Sequence, residues 1–203
     1  MTTTANTLAG VLATRKALLV VDMQRDYCVH EGIIGLLGHD TSHFPGVAER
    51  LQRFIARARP HLDHVVFIRT EFPAWPRSRA QSLHYGRNAL ARQRDPAMAD
   101  WFGVAPEAGD PVITKARYSA FRDTQLDALL RASRIETVLV CGATTDVCVD
   151  STVREAFMRD YSVVVLSDCC GASTPERHRH SLDVLDHFFA RVNTADEVLA
   201  AMG

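Results

Sequence analysis

A single α/β domain, with a parallel sheet covered by helices on both faces, is the fold class this sequence predicts, and three observations carry it. Short runs that are apolar at successive positions recur along the chain, within ALLVV at 17–21, HVVFI at 64–68, TVLVC at 137–141 and SVVVL at 162–166. Strands buried on both faces read this way, whereas a half-solvated antiparallel strand alternates. Between them lie longer segments whose apolar residues fall three and four apart, the spacing of a helix with one inward face. The length, 203 residues, suits one domain with a sizeable core, and no repeat, low-complexity tract or linker divides it.

Taken in order, residues 1–15 are rich in Thr and Ala and are expected as a flexible extension. They lack a charged start followed by an apolar run, so they do not read as a signal peptide. The 17–21 strand ends at Asp22. Pro45 and Gly46 open a helix reaching residue 58, with Val47, Leu51, Phe54, Ile55 and Ala58 on one face. After the 64–68 strand, residues 69–101 are polar and carry Pro73, Pro76, Gly86 and Pro96, which predicts a long loop with one short helix. A short strand at 111–114 follows a turn at 107–110. Leu126, Leu129 and Leu130 mark a helix, then come the 137–141 strand, a helix at 147–158 and the 162–166 strand. Residues 175–189 read as a helix with Leu182, Leu185, Phe188 and Phe189 inward. A strand at 191–193 and a helix at 195–202 end the chain.

Composition narrows the function class. The chain is 47% hydrophobic and 23% charged, with 23 basic and 24 acidic residues and a net charge of −1. No global field therefore recruits nucleic acid or an anionic membrane. No apolar stretch approaches the ~20 residues that span a bilayer. The five cysteines, Cys28, Cys141, Cys148, Cys169 and Cys170, are odd in number, and no pair has the two-residue spacing of a zinc ribbon or redox motif. Free thiols in a reducing cytoplasm are the expectation. The dinucleotide, P-loop, zinc-protease and serine-hydrolase patterns are absent. A small-molecule enzyme is the leading class that remains.

Ligands of open parallel sheets bind beyond the carboxyl ends of the strands. The reactive groups placed there are Asp22, Glu71, Lys115, Cys148 and Asp168. Of the 23 basic residues only Lys16 and Lys115 are lysines, and a lysine offers a compact, tunable charge that arginine does not. Lys16 reads as a solvated flank. An acid, an amine and a thiol in one ring can form a nucleophile with its activating pair. A free thiol is only about 3% thiolate at pH 7. A nearby ammonium and a helix amino end both favour the thiolate, and Cys148 is placed at a helix start, so its thiol pKa is expected to be depressed.

Asp22 in LVVDMQRDY, Lys115 in TKARYSAF and Cys148 in CGATTDVCVDSTVREAFMRDY resemble, in order and at sensible spacing, the three motifs of the isochorismatase-like cysteine hydrolases. The resemblance runs from about residue 17 to the end of the chain. It implies a three-layer, Rossmann-like architecture with a six-stranded parallel sheet. It also implies a triad in which Asp22 accepts the thiol proton, Lys115 stabilises the charges and Cys148 attacks a carbonyl carbon. A cis peptide would join Ala143 to Thr144, and the backbone N–H groups of Thr144 and Cys148 would face the developing oxyanion. The implied reaction is hydrolysis of a C–N bond in a small amide, carbamoyl or ureido compound through a Cys-bound acyl intermediate. No cofactor is implied, nor any nucleic-acid or membrane partner; a homo-oligomer, dimer or tetramer, is.

One branch of the same fold lacks the cysteine and cleaves the vinyl ether of isochorismate by acid catalysis from the Asp. The KARYSAF segment is similar to that branch too, and Cys148 is what favours C–N hydrolysis. A non-catalytic relative acting as a binding partner is the alternative from another class. Nicotinamidases of the family carry a metal-binding Asp-x-His after the second strand. Here that place reads RTEFPAW, residues 69–75, with no His, so no metal is expected. GLLGHD at 35–40 and the Arg-Tyr-Ser segment bring the chain nearer to the carbamoyl and ureido hydrolases, ureidoacrylate amidohydrolases among them.

Substrate-binding candidates are Gln24 in the first motif, Phe72, Trp75 and Tyr118 as aromatic walls, and Arg117, whose guanidinium can pair bidentately with a carboxylate. Arg87 is a weaker candidate for that pairing, and Phe121 divides between wall and core. His178 and His180, two apart, point to different faces of a helix and read as a solvated helix start rather than a metal site. Cys28 either lines the pocket or fills core. Cys169 and Cys170 read as tight packing at a strand end, with a redox pair as the alternative.

Overall fold

A computed structural model describes residues 6–71, 78–85 and 95–203. Six parallel strands form one sheet: β1 (Lys16–Val21), β2 (His64–Thr70), β3 (Val112–Lys115), β4 (Thr137–Ala143), β5 (Ser162–Gly171) and β6 (Arg191–Asn193). Their order is β3-β2-β1-β4-β5-β6. The two central strands, β1 and β4, are buried almost throughout, which is why their sequences are apolar at successive positions. The edges are short and carry exposed positions at Val112 and Arg191, which blunts them against pairing with another chain.

The helices are α1 (Leu8–Leu12), α2 (Arg25–Cys28), α3 (Ile33–Leu36), α4 (Phe44–Ala58), α5 (Arg79–Tyr85), α6 (Leu126–Ala132), α7 (Asp150–Phe157), α8 (Pro175–Phe188) and α9 (Ala195–Met202). Strand order runs one way from β1 to β3 and the other way from β4 to β6. Right-handed connections therefore place α4 on one face and α7 and α8 on the other. α9 returns to pack on α4, and α1 packs on α9. Among the described residues no helix is long and apolar enough to cross a membrane.

Three expectations change. Part of the N-terminal extension is ordered: Thr7 caps α1 by accepting from the Gly10 N–H, and Leu12 is buried in the core. A single helical turn is too short to show a period, so the sequence did not announce it. β5 runs five residues past the expected end at 166. Ser167 and Asp168 interrupt its apolar run, but both are used: Ser167 Oγ donates to the Asn193 carbonyl, and Asp168 Oδ1 accepts from the Ala195 N–H at the start of α9. Asp168 thus belongs to the packing of α9. Phe188, expected inward, is 61% exposed; Leu185 takes the buried row, and Phe188 lies against Phe189 at the end of α8.

The sheet's most demanding glycine is Gly142, which faces Val21 across β4 and β1 with φ 118°. A Cβ there would fall 2.0 Å from the Val21 carbonyl oxygen. Only glycine permits both that approach and that backbone angle. Gly142→Ala is expected to cost more than about 3 kcal/mol of stability, read as a drop in the denaturant midpoint, because strain and backbone overlap act together.

Candidate active site

The chain leaves β1 and β4 in opposite directions, and in such sheets a crevice opens beyond the carboxyl ends of that pair. Asp22 is the first residue past β1. Its backbone turns with φ 48°, its N–H donates to the Ile68 carbonyl at 2.9 Å, and its own carbonyl accepts from the Gln24 N–H at 2.7 Å. The left-handed conformation is uncommon outside glycine, though Asp tolerates it better than most. Lys115 is the last residue of β3 and lies in register with Thr70, the last residue of β2. Cys148 follows β4 inside a π-helical turn, Thr145–Val149, that leads directly into α7.

These residues converge. Lys115 Nζ lies 2.7 Å from Asp22 Oδ2 and 3.4 Å from Cys148 Sγ. It also donates to Thr70 Oγ1 and to the Arg117 carbonyl, each at 3.0 Å. The Thr70 hydroxyl donates in turn to Asp22 Oδ1 at 3.0 Å. Asp22 Oδ2 is close to the ammonium but makes no aligned hydrogen bond. The exposures are 0% for Asp22, 1% for Lys115 and 6% for Cys148, so water screens the group little. The Ala143–Thr144 peptide that precedes the cysteine turn is cis. The Thr144 carbonyl accepts from the N–H groups of Val147 and Val149.

Burial, the largest single effect, disfavours the ammonium of Lys115, but Asp22, with smaller contributions from Cys148 and Tyr27, raises the pKa on balance, so the amine stays charged. The thiol goes against expectation. Burial pushes Cys148 up to about 12; Lys115 pulls it down, while the nearby Asp22 carboxylate opposes the thiolate. Cys148 also sits in the π turn ahead of α7 rather than at the helix's own first turn. The resting sulfur is therefore a protonated thiol beside a carboxylate, not a standing thiolate.

Gln24 does not reach toward a substrate. It is buried, its Oε1 accepts from the Thr70 N–H at 2.8 Å, and its Nε2 donates to the carbonyls of Thr70 at 3.1 Å and Ala99 at 2.8 Å. The whole amide is engaged in joining β2 to the 3-10 turn Pro96–Ala99. Arg117 is half-buried beside Lys115, with Nη1 on the Ala116 carbonyl at 2.9 Å, and Tyr118 is 45% exposed. Phe72, Trp75 and Arg87 lie outside the described residues. Phe121 is core, stacked on Tyr161. His178 is half-buried, hydrogen-bonded to Thr145 Oγ1 at 2.9 Å, and burial lowers its pKa; only His180 is the solvated residue expected.

Cys28 is buried, and burial raises its pKa, with Asp22 adding to the rise. Cys141, Cys169 and Cys170 are buried free thiols whose pKa values burial also raises. Thr70 is the site residue that sequence reading missed. Its signal was its place at the end of β2, visible only once β2 is known to lie between β1 and β3.

The isochorismatase domain family matches residues 16–197. The chain belongs to that family. Ureidoacrylate amidohydrolase RutB of Methylorubrum extorquens is 34% identical over 208 residues, covering 94% of this chain and 84% of that protein. RutB of Pantoea ananatis is 33% identical over 211 residues, covering 96% and 84%. Among solved structures, a cysteine hydrolase from Pseudomonas syringae pv. phaseolicola superposes with a TM-score of 0.79 at 28% identity, covering 95% of this chain and 93% of that one. N-carbamoylsarcosine amidase from Thermoplasma acidophilum gives 0.71 at 27% identity, covering 90% and 97%.

A protonated resting thiol has a direct consequence. Iodoacetamide labelling of Cys148, followed by peptide mass spectrometry, is expected to be slow at neutral pH and still rising through about pH 10. A plateau below about pH 8 would contradict it.

Proposed function

We propose that this family member is a cysteine hydrolase cleaving a C–N bond in a small amide, carbamoyl or ureido compound, with Cys148 as nucleophile, Asp22 as general base and Lys115 as fixed positive charge. The observation that carries this reading is a buried thiol 3.4 Å from an ammonium that is itself 2.7 Å from a carboxylate. A nucleophile, a base and a charge that holds both are what covalent hydrolysis needs. The names of the relatives support the substrate class, since ureidoacrylate and N-carbamoylsarcosine both describe a carboxylate bearing a terminal carbamoyl group. Five free thiols support a reducing, cytoplasmic setting.

As Sγ attacks the carbonyl carbon, its proton passes to Asp22. The Lys115 ammonium stabilises the sulfur as its charge develops, and the N–H groups of Thr144 and Cys148 receive the carbonyl oxygen as it becomes an oxyanion. Collapse of the tetrahedral intermediate breaks the C–N bond, and the leaving nitrogen takes the proton from Asp22 and departs as ammonia. An S-acyl enzyme remains. Water then adds to the same carbon, Asp22 accepts its proton, and collapse expels the sulfur, which recovers that proton. The sum is substrate plus water giving acid plus ammonia, with Lys115 charged throughout.

Ammonia release from a panel of carbamoyl and ureido acids tests this. Cys148→Ala is expected to fold normally and lose at least about 10³-fold in kcat. Wild-type turnover by that variant would sink the reading and favour acid catalysis by Asp22 without the thiol. Arg117, whose guanidinium is bonded only to the adjacent Ala116 carbonyl among the contacts described, is the group we assign to the substrate carboxylate. Arg117→Leu is expected to raise KM about tenfold while leaving kcat within about threefold, measured by steady-state kinetics.

A further inference from the structure

We propose that Thr70 is a positioning residue that selects which oxygen of Asp22 receives the Cys148 proton, holding Oδ1 by its hydroxyl and leaving Oδ2 for the thiol. The proposal rests on the reading of Asp22 as the base and extends it to a residue outside the three motifs.

Donor counting fixes the direction of the chain of contacts. An ammonium can only donate, and an ionised carboxylate can only accept. The Thr70 hydroxyl lies 3.0 Å from Lys115 Nζ and 3.0 Å from Asp22 Oδ1. It must therefore accept from the lysine and give its single proton to the aspartate. That engages one lone pair of Oδ1. Oδ2, buried and 2.7 Å from the Lys115 ammonium but without an aligned hydrogen bond, is the oxygen with neither lone pair so engaged.

The backbone shows that this placement is held from behind. Thr70 N–H and C=O are both gripped by the buried amide of Gln24, and the β2–β3 register puts Thr70 opposite Lys115. A carboxylate rotating about its last bond would exchange its two oxygens; a hydroxyl held between Lys115 Nζ and Oδ1, on a backbone gripped by Gln24, opposes that. Val has nearly the shape of Thr without the hydroxyl, so the two roles of this side chain, filling space and donating a proton, can be separated.

The test compares Thr70→Val and Thr70→Ser with the unaltered protein. Alkylation of Cys148 by iodoacetamide at about pH 8 needs no substrate and requires the thiol to lose its proton. Thr70→Val is expected to slow it about tenfold, with Thr70→Ser within about threefold of wild type. For ammonia release from N-carbamoylsarcosine or ureidoacrylate, kcat should fall in the same proportion with KM within about threefold. If Thr70→Val fails to fold, Thr70→Ala replaces it with the same expectation. Wild-type alkylation in the folded variant lacking the hydroxyl would overturn the proposal. So would equal slowing in Thr70→Ser, which keeps the hydroxyl. The hydrolase reading fails separately, by turnover in Cys148→Ala.

Discussion

Two opposite charges held 2.7 Å apart with almost no exposure, the Asp22 carboxylate and the Lys115 ammonium, constrain everything around them. Removing either partner would leave a buried unpaired charge, a loss of about 3–5 kcal/mol in comparable cases. Their pairing keeps the lysine protonated, while burial keeps the neighbouring sulfur neutral against the pull of that lysine. In the proposed mechanism the same pair serves a reacting thiol from two sides, with a base to take its proton and a cation to meet the charge that remains.

Sheet order explains how residues so far apart in sequence meet. Asp22 ends β1 and Lys115 ends β3, and two strand spacings separate those strands by roughly 9.5 Å. The long lysine side chain covers most of that distance, and Thr70, ending the strand between them, bridges the pair. Cys148 approaches from the other side, beyond β4, where Gly142 lets the backbone pass close to Val21. No one of these strand ends makes a site; the order β3-β2-β1-β4 does.

The buried strands were legible because double burial leaves successive apolar positions without alternation, as at 17–21 and 138–141. Legibility failed where a polar residue has a private partner. Ser167 and Asp168 interrupt an apolar run yet lie in β5, because one bonds to β6 and the other caps α9. Phe188 fits the inward spacing of α8 and still faces out, since spacing alone does not say which of two adjacent rings the sheet covers. Asp22, Lys115 and Cys148 could be picked out as reactive groups beyond strand ends. The protonation of the thiol could not, because it depends on how burial and Asp22 together balance a cation 3.4 Å away. The role of Gln24 was hidden for a similar reason: only the fold brings the Thr70 and Ala99 backbones to its amide.

A nucleophilic Cys148 is tested most directly by mass spectrometry of protein acid-quenched during turnover of whichever carbamoyl or ureido acid it is found to hydrolyse with release of ammonia. Covalent catalysis predicts an adduct equal to the substrate less ammonia, on the peptide that contains Cys148 and on no peptide carrying the other four cysteines. Sustained ammonia release with Cys148 unmodified at every quench time would contradict it and point to direct attack by water.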